Sequence, residues 1–120
     1  MKIVVTSTGE TLDSEVDARF GRTKKFILYD TESENFSVID NEQNLELASG
    51  AGIQTANNII NAGAETVITP NCGPKAFKAL NAAGIKIFIC EEKKVNDVIN
   101  DFIFGKLEEI KDPNVNGHWG

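Results

Sequence analysis

The 120 residues contain one histidine, two cysteines, one tryptophan and no apolar run long enough to cross a membrane. The single histidine, His118, stands in the last ten residues and close to no serine or cysteine, so a histidine-activated nucleophile is missing. Cys72 and Cys90 form no Cys-x-x-Cys pair. A chain of this size needs no disulfide staple, and both read as reduced thiols rather than half of a zinc site. The apolar start Ile3-Val4-Val5 gives way at once to Thr6-Ser7-Thr8, too short a run for a signal-peptide core. A cytoplasmic protein with no membrane association is expected. Basic residues are the minority, 12 Lys and Arg against 18 Asp and Glu, for a formal net charge of -6. Such a molecule as a whole repels nucleic acid and anionic membranes, so an anionic ligand must find a local basic patch.

What is present suits one α/β domain over residues 1–110, followed by a Pro-, Asn- and Gly-containing tail over 111–120 that is expected to be flexible. Five strand-like runs are expected: Lys2 to Thr6, Lys25 to Asp30, Asn35 to Asp40, Glu65 to Thr69 and Ile85 to Cys90. Three helices follow from apolar stripes at helical spacing. The first uses Ile53, Ala56, Ile59 and Ile60, the second Ala76, Phe77, Leu80 and Ala83, and the third Val95, Val98, Ile99 and Phe102. The segment from Gly9 to Arg22 has no clean period and reads as a long loop, a length often associated with function. The order β-β-β-α-β-α-β-α predicts a three-layer α/β/α domain with a five-stranded mixed sheet, strand one central and parallel to strands four and five.

That topology brings four loops to one edge of the sheet, where open α/β sheets bind ligands. They carry Thr6 to Gly9, Phe20-Gly21-Arg22, Gly50-Ala51-Gly52 and Asn71-Cys72-Gly73-Pro74. Two of them open helices, whose first N–H groups and partial positive charge suit an anion. Arg19, Arg22, Lys24 and Lys25 form a basic cluster beside the same edge, although a solvated patch reads equally well. The glycines have a plainer reading too, as turn residues. Cys72, just ahead of a helix start, is the candidate soft metal ligand, because the dipole favours its thiolate. Its alternative is a small buried hydrophobe. Catalysis is not expected. A sheet of this order is similar to that of ribonuclease H-like nucleases, but Lys2 to Thr6 of strand one and Thr66 to Thr69 of strand four carry no carboxylate, and no arginine follows Cys72 to close a phosphatase loop.

Leu12-Asp13-Ser14 with Arg19-Phe20-Gly21-Arg22, then Gly50-Ala51-Gly52-Ile53-Gln54, then Asn71-Cys72-Gly73-Pro74-Lys75-Ala76-Phe77 and Ala82-Ala83-Gly84-Ile85-Lys86, resemble the dinitrogenase iron-molybdenum cofactor-binding family over nearly the whole chain. The resemblance implies a ribonuclease H-like fold without nuclease residues. It also implies a non-catalytic role in binding or carrying iron-molybdenum cofactor or an iron-sulfur cluster precursor, with a protein partner in cofactor assembly. Contacts would come from Arg19 to Arg22, Gly50 to Gly52, Asn71, Gly73 and Pro74, with Cys72 as the thiol. Carriers of this family tend to have a histidine-bearing stretch before the first helix, and 44–52 here has none. The competing reading is a protein-interaction or regulatory module that binds no metal.

Overall fold

The computed structural model describes residues 1–42 and 50–116; His118 and most of the polar connection expected at Asn41 to Ser49 lie outside the described residues. The elements are β1 (Lys2–Ser7), β2 (Lys25–Asp30), β3 (Phe36–Asp40), α1 (Ala51–Asn61), β4 (Thr66–Thr69), α2 (Pro74–Ala82), β5 (Lys86–Ile89), α3 (Val95–Ile103) and β6 (Glu108–Glu109). The sheet order is β3-β2-β1-β4-β5-β6. β1 runs antiparallel to β2, with Val5 opposite Ile27, and parallel to β4, with Val5 opposite Ile68. β5 is parallel to β4.

The sheet therefore has six strands, where the sequence predicts five. The extra one, β6, pairs antiparallel with β5 through Phe88 opposite Glu109 and Ile89 opposite Glu108. Two adjacent glutamates carry no β-branched or aromatic signal, so this strand exists only because β5 supplies a partner.

Period-two alternation divides the sheet between two cores. Val4, Phe26, Val67 and Ile87 point to the face covered by α1 and α2, where Ala56, Ile59, Ala76 and Leu80 meet them. Ile3, Val5, Ile27 and Ile68 point to the other face, against Val95, Val98 and Ile99 of α3. Ile3, Val4 and Val5 are fully buried, as a central strand covered on both sides requires. The stripe expected for α1 is rotated. Gly52, Thr55, Ala56 and Ile59 face inward, whereas Ile53 is 40% exposed. Small residues at 52 and 56 let α1 lie close to the sheet and turn the larger Ile53 outward. Ala83 is exposed beyond the end of α2.

The long segment between β1 and β2 is held by backbone pairing rather than by a helix of its own. Ser7 bridges Val16 and Glu15 bridges Lys94. The Val16 N–H donates to the Lys93 carbonyl at 2.8 Å. This segment consequently spans the end of the sheet and reaches the start of α3. The tail expected from residue 111 is hydrogen-bonded at Asn114, whose side-chain NH2 donates to the Pro70 carbonyl at 2.9 Å. No described helix is long and apolar enough to cross a membrane.

Candidate functional site

The loop over residues 17–23 is the joint of the edge. Phe20 is fully buried and packs edge-on against Phe26, with ring centroids 5.4 Å apart. Its N–H donates to the Asn71 carbonyl at 3.2 Å, and the Asn71 side chain donates back to the Ala18 carbonyl at 2.8 Å. The loop is thus tied to the approach to α2. A second set of contacts ties it to α1. The Thr55 hydroxyl lies 3.3 Å from the Gly21 carbonyl and 3.1 Å from Asn41 Oδ1, and Asn41 donates to the Thr23 carbonyl at 2.9 Å. Thr55, Asn41 and Thr23 are buried, so this network holds the loop in place only while each polar atom keeps its partner.

Both helices that meet this loop start without a side-chain cap. Gly50 precedes α1 with φ of 80°, a conformation that costs glycine little, and no acid follows in the first turn. Gly73 precedes α2 with Pro74 in the first turn, again without an acid. α3 differs. The N–H groups of Val95 and Asn96 donate to the carbonyls of Ser14 and Leu12, both at 2.9 Å, and Asp97 sits in its first turn.

The expected residues therefore divide by role. Arg19 is exposed and Arg22 half-buried on the loop. Phe20 is a core anchor, and the Gly21 carbonyl is occupied by the buried network. Gly50, Ala51 and Gly52 stand at the α1 start, with Ala51 and Gly52 buried. Asn71, Gly73 and the exposed Pro74 form the approach to α2. Lys25 drops out of the basic cluster, since Asp40 at 3.7 Å and Glu42 at 3.9 Å neutralise it.

Cys72 takes the second of its two readings, that of a small buried hydrophobe. It is fully buried in the core with Val4, Phe20 and Ala76, and burial pushes its thiol up to about 12. Desolvation by burial is the cause. Cys90 lies in the core on the opposite face and is likewise pushed up to about 12, mainly by burial and then by Asp101. The sheet separates the two thiols. Among the described residues no group of three or more His, Cys, Asp or Glu is placed to hold a metal ion.

One feature of the site escaped the sequence reading. A crevice of about 430 Å³ between α1 and α2 is lined by Ile53, Ala79 and Ala82 with Lys75 and Lys78. Neither lysine pairs with a carboxylate among the described residues. The available signal was the i, i+3 spacing of the two lysines. A larger cleft of about 610 Å³ lies where β5 ends, lined by Cys90, Lys93, Asp101, Leu107, Glu108 and Asn114 among others. Its charges are of both signs, and Lys93 is already bonded to Asp101 at 3.0 Å.

The model of the dinitrogenase iron-molybdenum cofactor family matches residues 1–105. The chain belongs to that family. Among solved structures, this family member resembles the apo form of the orange protein from Desulfovibrio gigas, at 37% identity and a TM-score of 0.93, over 95% of this chain and 96% of that one. It also resembles the NMR structure of a Thermotoga protein proposed to be a NifB protein, at 38% identity and a TM-score of 0.80, over 90% and 91% of the two chains. A protein of uncharacterised function from Methanocaldococcus jannaschii is 28% identical over 102 residues, 82% of this chain and 86% of that protein.

Proposed function

We propose that this iron-molybdenum cofactor family member is a non-catalytic carrier that reversibly holds an anionic metal-sulfur cofactor or cluster precursor without cysteine ligation. The observation that carries the reading is the crevice in which Lys75 and Lys78 stand over an apolar floor, beside two uncapped helix starts, in a chain of net charge -6. A sulfide-rich anion is large and polarisable. An apolar floor suits its sulfur surface, while ammonium groups and helix N–H groups offset its charge.

Lys75 and Lys78 bind by charge, and Ile53 with Ala79 and Ala82 excludes water from one side of the ligand. The N–H groups at Ala51 and Gly52, and those of Lys75 and Ala76 beyond Pro74, which has none, orient it. Arg19 and Arg22 sit on the loop that is tied to both helices and bring further positive charge to the same edge. A cluster held by four thiolates does not fit this chain, because its two thiols are protonated and on opposite faces of the sheet. The cofactor is cargo, passed to or from a protein partner in cofactor assembly. The apo description of the orange protein, meaning a form without its ligand, supports a ligand-holding role for this fold.

The test is anaerobic titration with tetrathiomolybdate, an anionic metal sulfide, followed by absorption. Wild type and Cys72→Ser are expected to bind alike. Lys75→Glu with Lys78→Glu should weaken binding by about tenfold or more, as reversal of two charges beside an anion implies. Binding should also weaken as salt is raised. Absence of binding by wild type defeats the carrier reading and leaves the metal-free interaction module. Loss of binding in Cys72→Ser alone restores a thiolate ligand.

A further inference from the structure

The segment that follows α3 crosses the edge of the sheet from one face to the other. Leu107 packs with the α3-side core and Ile110 with the α1/α2-side core, with β6 between them. The Ile110 N–H donates to the Ile87 carbonyl at 3.0 Å. Four residues later Asn114 closes on the turn ahead of α2. Its Oδ1 accepts the Cys72 N–H at 2.8 Å, and its NH2 donates to the Pro70 carbonyl at 2.9 Å. Its own N–H donates to the Cys72 carbonyl at 3.3 Å. The same NH2 lies 3.4 Å from Asn71 Oδ1.

We infer that Asn114 is a positioning residue for the start of α2: it fixes the Pro70 to Cys72 turn and through it the placement of Gly73, which precedes α2, and of Lys75, which lines the crevice. Three polar backbone groups of that turn, two on Cys72 and one on Pro70, are paired by this one residue. Asn114 is itself exposed, so its bonds compete with water and can open without unfolding the domain. Opening frees the turn that seals the Cys72 side chain in the core. Asn114 also lines the larger cleft at the end of β5, so the clamp lies on the wall between that cleft and the α2 turn.

The inference rests on the carrier reading for its effect on affinity, and on geometry alone for its effect on the turn. The experiment uses the full chain, wild type and Asn114→Ala, with Cys90→Ala in both so that one thiol reports. Amide hydrogen exchange is read at Cys72 and at Ile68 in β4, together with labelling of Cys72 by a disulfide reagent. Asn114→Ala is expected to speed exchange at the Cys72 amide and labelling of its thiol about tenfold, with Ile68 unchanged. Asn114→Asp keeps the acceptor for the Cys72 N–H, loses the donor to Pro70, and should fall between. Tetrathiomolybdate affinity should drop several-fold in Asn114→Ala. Unchanged exchange and labelling overturn the inference, as does a parallel rise at Ile68, which would report global destabilisation. If wild type binds no tetrathiomolybdate, the carrier reading fails while the exchange data still decide the clamp. Equal affinity in wild type and Asn114→Ala despite a loosened turn overturns the positioning role and leaves the carrier reading standing.

Discussion

The start of α3 is bonded by backbone from elsewhere in the chain, whereas among the described residues α1 and α2 begin at glycines without a side-chain cap. On the α3 side, the carbonyls of Leu12 and Ser14 accept the first N–H groups of the helix, and Asp97 supplies negative charge in the first turn. On the other side, Gly50 and Gly73 bring no side-chain oxygen, and neither first turn holds an acid. Three helices of similar length thus end in two electrostatic states. The capped helix serves stability. Among the described residues, the first-turn N–H groups of the other two helices have no side-chain cap.

The sharpest separation should come from the α3 core. Ile99 is 1% exposed, and Ile99→Ala should cost about 3 kcal/mol in urea unfolding by leaving a cavity. Affinity for tetrathiomolybdate, measured where the variant is folded, should be unchanged. A parallel loss of affinity would mean that the two faces are not independent. Next in size is Thr55→Val, which removes the hydroxyl shared by Gly21 and Asn41. It should cost about 2 kcal/mol, because buried acceptors lose a donor, and it should also weaken binding by loosening the 17–23 loop. Affinity equal to wild type would separate that loop from the site.

A further comparison sets the two thiols side by side. Each stays protonated in the folded protein up to about 12, whereas an unfolded cysteine ionises above about pH 8.5. Their contribution to stability is complete below the unfolded value and is lost as pH climbs toward the folded one. The loss is about 1.4 kcal/mol per pH unit for each thiol. Urea unfolding between pH 7 and pH 10.5 should show this slope, and Cys72→Ala and Cys90→Ala should each remove one share of it. If Cys72→Ala leaves the slope intact, that thiol is ionised in the fold and the helix dipole has prevailed.

The strands were legible because β-branched runs such as Ile3-Val4-Val5 and Val67-Ile68 leave few alternatives, and α3 because its stripe is uninterrupted. The shared edge followed from strand order alone. Other features depend on contacts that no local pattern encodes. Ile53 looked like core because it is apolar and in phase with Ala56 and Ile60, yet the small residues at 52 and 56 decide which side of α1 meets the sheet. Cys72 looked like a thiolate because the helix start is visible in the sequence, whereas the residues that bury it, Val4 and Phe20, lie far away in the chain. Lys75 and Lys78 become part of a crevice only because α1 supplies the facing wall with Ile53. Asn114 carried no signal at all, since an asparagine in a Pro- and Gly-containing tail resembles any other turn residue.

β6 has a consequence for how copies of the protein meet. Without it, β5 would present Lys86-Ile87-Phe88-Ile89 as an outer strand with unpaired N–H and C=O groups, a template for another chain. Two residues are enough to occupy the register opposite Phe88 and Ile89, and both are glutamates, so an approaching strand meets charge instead of an apolar ladder. A feature with almost no content of its own thereby discourages self-association along the most apolar rim of the sheet.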